Sequence, residues 1–368
     1  MSFPTLHTHD QPLASGQVSP ITELASGVDA LHLSGRADLQ PALFGALASA
    51  RSNAEEIDGP VPFPLLDDDW QLEPFSFGRY RYRLVHPFGM VGITTSENLP
   101  ALRVQPRAEF LHGAGVEFVL DYFQRLGEFL AGGPVTWSLS RLDLFCDVQG
   151  WQIDGDDRHR FVCRATRRDL HEESGALTGF EFGRRSTKTV CARIYDKMLQ
   201  VDKKGLDWWP RIWGEPFDPS RQVLPVEVEV RLQGLVEFGV DSPADGLAKA
   251  GDIWANATEK WLSYRVPTND DTKARWPVAP EWQSVQNATL RHRAIGVDRI
   301  RAERRQGELR IITPALVGYL ARAGALSGAD DLDTTIGAAR HLVARDERRR
   351  GVPFESRIAE RKAEESRR

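Results

Sequence analysis

The chain has 368 residues, 41% hydrophobic and 27% charged, which suits one large globular domain or two ordinary ones and excludes wholesale disorder. Three cysteines with no CxxC pair and no apolar stretch after Met1 argue against a disulfide framework, a zinc ribbon and a secretory signal. No apolar run reaches the roughly 18 residues of a membrane span, so a cytoplasmic protein with no membrane partner is expected. The net charge of −5 conceals an asymmetry, because Arg291 to Arg368 hold 18 basic and 12 acidic residues, leaving −11 for residues 1–290. An acidic body can hold a polyanion only over a limited footprint, with local cations or a divalent ion helping.

Residues 1–25 are rich in Pro, Ser, Thr and Gly without a period and read as a mobile arm. A strand is predicted over 28–35 and a helix over 39–54, where Leu39, Leu43 and Leu47 recur at helical spacing. After a Pro- and Asp-rich loop, short strands at 79–85, 90–95 and 101–104 predict an antiparallel meander. The period then changes to a helix over 116–130, closed by Ala131-Gly-Gly-Pro134. Residues 135–148 are the cleanest strand, and 154–173 a charged, partly helical stretch. Strands at 179–184 and 189–199 flank a hairpin connection. A Trp- and Pro-rich excursion leads to a strand at 222–232, and 244–264 reads as mostly helical. The expected fold is α+β, a mainly antiparallel central sheet flanked by helices, with a helical C-terminal region. Its divisions are the arm, a domain over 26–266, a linker over 267–280 where composition changes, and helices over 281–368.

Three strands carry one polar face each, because successive side chains point to opposite faces. Arg141, Asp143, Phe145 and Asp147 share a face opposite Leu142, Leu144, Cys146 and Val148. Cys191, Arg193, Tyr195 and Lys197 oppose Val190, Ala192, Ile194 and Met198, with Asp196 the exception; Glu227, Glu229 and Arg231 oppose Val226, Val228 and Val230. A solvated sheet face also alternates, but Asp is depleted in strands, so three such faces favour a phosphoryl-transfer site. Asp143 and Asp147 lie roughly 13 Å apart and cannot grip one ion, whereas Glu227 and Glu229, about 6.5 Å apart, could do so with Asp143. An all-carboxylate set suits Mg²⁺ or Mn²⁺.

The segments Ser140-Arg-Leu-Asp-Leu-Phe-Cys-Asp147, Gly183-Arg-Arg-Ser186 leading into Ala192-Arg-Ile-Tyr-Asp-Lys197, and Val226-Glu-Val-Glu-Val-Arg231 resemble the rolling-circle replication initiation factors of the Rep-trans family, which includes relaxases of integrative conjugative elements. The resemblance covers residues 28–240 loosely and these motifs well, Arg-Ile-Tyr-Asp-Lys being the most specific. It implies that Tyr195 is the nicking nucleophile and that Asp143, Glu227 and Glu229 are metal ligands; Asp147 is a further candidate ligand, and Arg193 and Lys197, on the strand face of Tyr195, can stabilise its phenolate or contact phosphate. Arg184, Arg185, Lys188, Arg141 and Arg231 are candidate DNA contacts. The sequence departs from the family at Pro225, where an Arg often stands, and in the long insert from Met198 to Leu224. There is no His-hydrophobic-His motif, and His7-Thr-His9 falls in the arm.

The implied chemistry is attack of Tyr195 on a phosphodiester of single-stranded or extruded DNA, leaving a 5′-phosphotyrosine and a 3′-hydroxyl primer. A second copy of the chain and a host helicase are candidate partners beside DNA. Two other readings stay open: a DNA-binding protein of the same fold without nicking, and a metal-dependent nucleotide enzyme without a tyrosine nucleophile.

Overall fold

The structure is a computed structural model that describes residues 21–66, 68–173, 176–183, 189–292 and 316–367. The chain divides into two compact units after residue 296. In chain order the first unit opens with β1 (Thr22–Arg36), α1 (Pro41–Glu56), β2 (Val61–Pro62), β3 (Gln71–Leu72), β4 (Tyr82–His86), β5 (Gly89–Ile93) and β6 (Leu102–Pro106). Helices α2 (Ala108–Ala114) and α3 (Val116–Ala131) precede β7 (Thr136–Gln149), β8 (Phe161–Cys163), β9 (Arg168–Glu173), β10 (Ala176–Phe182) and β11 (Val190–Tyr195). Then come α4 (Lys197–Lys204), α5 (Trp209–Trp213), β12 (Val223–Arg231), α6 (Leu232–Glu237), α7 (Pro243–Ala248), α8 (Ala250–Ala255), β13 (Leu262–Tyr264) and α9 (Pro280–Gln286).

Eleven strands form one antiparallel sheet in the order β2-β3-β4-β5-β6-β1-β7-β12-β11-β10-β9, and β8 pairs with β13 apart from it. The centre is set by length: β7 pairs with β1 from Thr136 to Gln149 and with β12 from Arg141 to Gln149. On β7, β12 and β11 the alternate residues Leu142, Leu144, Val226, Val228, Val230, Ala192 and Ile194 are buried. They join one core with Leu126 and Leu130 of α3, Leu235 of α6 and Trp254 of α8. Each such side chain contributes about 1.5–3 kcal/mol on burial, so this face fixes the register and leaves the opposite face for polar residues. Helix α3 buries Val119, Tyr122, Phe123, Leu126 and Leu130 at spacings of three and four and ends on Gly132 in the left-handed region, φ 70°.

The antiparallel meander and both long helices follow the predicted pattern; β2 and β3 fall in the expected Pro- and Asp-rich loop, β13 ends the stretch expected to be mostly helical, and four further details differ. Strand β1 starts at Thr22, inside the expected arm, because Glu23 and Ser26 accept hydrogen bonds from the backbone of Thr289 and Leu290. Residues 154–173, expected to be partly helical, contain one short 3₁₀ turn and then two strands. Asp154 caps the turn by accepting from Asp156 and Asp157 N–H, and Phe161 then packs 4.8 Å from Tyr264. The strand expected over 189–199 stops at Tyr195, where the Asp196 carboxylate accepts from Met198 and Leu199 N–H and starts α4. Residues 267–280, expected as a linker, fold onto the first unit: Val266 N–H bonds Pro277 O and Ala279 N–H bonds Tyr264 O.

The second unit is helical: α10 (residues 316–327), α11 (Leu332–Arg350) and α12 (Phe354–Arg367). Residues 293–315 of the expected helical region and residues 1–20 of the arm lie outside the described residues. Among the described residues no helix is long and apolar enough to cross a membrane.

Candidate active site

Strands β7, β12 and β11 are neighbours, so their polar faces merge. The register sets Glu229 opposite Asp143 on one side and Cys191 on the other, and Glu227 opposite Arg193.

Tyr195 ends β11 half-buried. Its hydroxyl donates to Glu227 Oε1 at 2.6 Å, with Gln200 Oε1 of α4 at 3.1 Å. The other oxygen of Glu227 pairs with Arg193 Nη2 at 2.5 Å. Burial, and then the charge of Glu227, push the Tyr195 phenol well above its ordinary value, with Arg193 pulling the other way. Burial and the charge of Asp29 raise the Glu227 carboxyl too, against Arg193 and Lys197. Both groups resist ionising.

Two residues further along β12, Glu229 joins a second cluster. Arg141 Nη2 bridges Glu229 Oε2 at 2.9 Å and Asp143 Oδ2, while its Nε donates to Asp143 Oδ1 at 2.7 Å. Arg231 Nε reaches Glu229 Oε1 at 2.5 Å. Burial pushes the Asp143 carboxyl up to about 7; Arg141 opposes this, and Glu229 and Asp29 add to it.

Lys197 and Asp147 form a separate buried pair. Lys197 Nζ lies 3.0 and 2.8 Å from the Asp147 oxygens and 3.2 Å from the Trp209 ring centroid, and Trp213 Nε1 donates to Asp147 at 2.7 Å. Lys197 is 1% exposed. The expected position of Lys197 beside Tyr195 on one strand face is therefore corrected: the Asp196 cap ends the strand and turns Lys197 into an aromatic cage. Trp208, Trp209 and Trp213 stack in series over this end of the sheet, packing the insert rather than projecting from it.

Two residues escaped the sequence reading. Asp29 sits at a bulge of β1 between the pairs Val28–Leu144 and Ala30–Asp143, where strict alternation would place it with buried Leu31 and Leu33. The extra residue shifts it toward the polar cluster, and its charge acts on Tyr195, Glu227, Asp143 and Asp147. His112 Nε2 of α2 lies 3.2 Å from Asp29 Oδ1. Burial works to raise the Asp29 carboxyl, yet His112, Lys197 and Arg193 together hold it below its ordinary value. The interruption of β1 by an Asp was the available signal for Asp29; His112 had none. Arg184, Arg185 and Lys188 lie outside the described residues.

The acids supply the all-oxygen chemistry that Mg²⁺ or Mn²⁺ prefers, but as the side chains stand they do not fit an ion. Arg141 occupies the space between Asp143 and Glu229, and Glu227 is engaged by Tyr195 and Arg193. Among the described residues no three His, Cys, Asp or Glu side chains are grouped to hold a metal.

The sequence matches no protein-family model and no curated protein. Among solved structures the chain is similar to a rolling circle replication initiator protein from Geobacillus stearothermophilus at 14% identity and a TM-score of 0.41, over 73% of this chain and 96% of that one.

Proposed function

We propose that this chain is a DNA nicking-and-joining enzyme, a replication initiator or relaxase, that uses Tyr195 as its nucleophile. The observation that carries the reading is the 2.6 Å bond from a half-buried tyrosine hydroxyl to a buried carboxylate flanked by a guanidinium. An ordinary tyrosine, with a pKa near 10, is phenolate only to about one part in a thousand at neutral pH, and Tyr195 is shifted further up. A base is required, and Glu227 is in place to be it.

In the step proposed, Glu227 takes the phenolic proton as Tyr195 Oη forms a bond to phosphorus. The bond from phosphorus to the 3′ oxygen breaks, and the proton held by Glu227 passes through water to that oxygen, which becomes the 3′-hydroxyl and returns Glu227 to its carboxylate. Arg193, whose charge acts on Tyr195, stabilises the phenolate and the phosphorane charge. Reversal rejoins the strand without an external energy source, because the phosphotyrosine retains the phosphoryl bond. The Mg²⁺ or Mn²⁺ that the motifs imply is not part of this step: Asp143, Glu227 and Glu229 are the acids that would hold it, and Arg141 and Arg193 occupy them. Arg141 and Arg231, at the half-exposed rim, are the proposed contacts to DNA phosphates.

The test is incubation of the full chain with a supercoiled plasmid carrying its own coding region and flanking DNA, with and without Mn²⁺. Open circles that carry protein support the reading. Binding without relaxation favours a non-catalytic DNA-binding protein, and cleavage that survives Tyr195→Phe favours a nuclease with another nucleophile.

A further inference from the structure

The polar face of the sheet continues past the Tyr195 cluster. On β4, β6 and β1 buried residues alternate with part-exposed ones, Arg83, Arg103, Gln105, His32 and Ser34 among them. Arg83 and Arg103 differ from the guanidiniums of the cluster. Among the described residues neither meets a carboxylate within 4.0 Å, whereas Arg141, Arg193 and Arg231 are all paired. Arg83 Nε is buried without a hydrogen-bond partner.

Each of the two lies against a phenylalanine ring, Arg103 4.8 Å from the centroid of Phe77 and Arg83 6.0 Å from that of Phe75. Phe75 is 54% exposed. The Phe77 ring is held on this face by the turn at Phe77–Tyr80, which lies so close over Gly92 that a Cβ there would come within 2.9 Å of Phe77. His32, whose Nδ1 is 3.2 Å from Gln105 Nε2, is depressed to about 3 by burial and then by Arg141, Arg103 and Arg231. His32 thus lies between Arg141 and Arg231 of the cluster and Arg103 of β6, within reach of all three charges.

We propose that this surface binds the single-stranded DNA leading to Tyr195, Arg103 and Arg83 holding phosphates and Phe75 stacking on a base. The proposal rests on the reading above and extends it to the strand beyond the reacting bond. Uncompensated guanidiniums beside an exposed ring complement a strand with phosphates and unpaired bases. From strand spacing and rise, Arg103 lies roughly 30 Å diagonally from Tyr195, a distance spanned by several nucleotides.

The experiment is fluorescence anisotropy of a labelled 20-nucleotide oligo-dT with the full-length Tyr195→Phe chain, so that cleavage plays no part. Arg83→Gln with Arg103→Gln should weaken binding about tenfold or more and reduce the salt slope by about 1.4, at about 0.7 for each single-strand phosphate that is no longer neutralised. Phe75→Ala should weaken it at least fivefold, while Lys203→Gln, at an exposed pair with Glu173, should change nothing. Photocrosslinking of an iodouracil-substituted oligo-dT to the chain with Arg83 and Arg103 intact should label Phe75 or Phe77, a readout that does not depend on whether the variants fold. Affinity within twofold and an unchanged slope, crosslinks confined elsewhere, or equal use of these residues by a blunt duplex would each overturn the proposal. If plasmid nicking is absent but oligo-dT binding depends on Arg83 and Arg103, this surface stands and the enzymatic reading falls; the converse result removes the surface alone.

Discussion

Tyr195 and Glu227 meet across adjacent antiparallel strands, the phenol of one donating to the carboxylate of the other at 2.6 Å. The two are 32 residues apart in sequence, and the insert between them, with its tryptophans, packs over the end of the sheet beside this contact. If Glu227 is the base, Glu227→Gln should slow plasmid nicking by roughly 10²–10⁴-fold while leaving DNA binding intact, as read by single-turnover cleavage and anisotropy. Tyr195→Phe should abolish cleavage, and Arg193→Gln should fall between the two.

Lys197 is expected to matter for stability. Its ammonium is paired with Asp147 inside a cage of Trp209, Trp213 and Phe145. Removing one partner of a buried pair strands the other charge, at about 3–5 kcal/mol. Urea unfolding of Lys197→Met should show a loss of that order, and adding Asp147→Leu should recover much of it.

Stability should also depend on pH through Asp143. Its folded value of about 7 lies above the ordinary 3.8, so between those values the native state keeps a proton that the unfolded chain has released. The contribution is full below about pH 4 and is lost as pH rises through 7, so stability falls across that window. Asp143→Asn should flatten this slope in urea titrations run from about pH 4 to 8.

Mn²⁺ binding should respond to Arg141. With its guanidinium between Asp143 and Glu229, the wild-type chain should bind Mn²⁺ weakly. Arg141→Gln should tighten binding by about tenfold or more, measured by electron paramagnetic resonance of free Mn²⁺. Equal affinity in the two chains would mean that the ion does not compete for this space.

How much was legible in sequence depended on periodicity. The faces of β7 and β12 were readable because period-two alternation runs from Arg141 to Val148, interrupted on the polar face by Phe145, and unbroken from Val226 to Arg231, and an apolar face that must be buried leaves the other no choice. The roles of Arg141 and Lys197 were not readable. Which acid each cation meets depends on the cross-strand register, on the Asp196 cap that ends β11 and on the packing of α5, all set by tertiary contacts. Asp29 was hidden by a bulge that reverses its parity, and the uncovered surface at Arg83 and Arg103 could not be separated from an ordinary solvated face, because pairing by acids is not a property of one strand.

The most direct measurement is peptide mapping of the product formed when the full chain meets single-stranded DNA drawn from its own coding region and flanks. A nucleotide fragment attached through its 5′ phosphate to the tryptic peptide containing Tyr195, absent from Tyr195→Phe and sharply reduced in Glu227→Gln, is the predicted result. Cleaved DNA with unmodified Tyr195, or an adduct on another residue, would contradict the account.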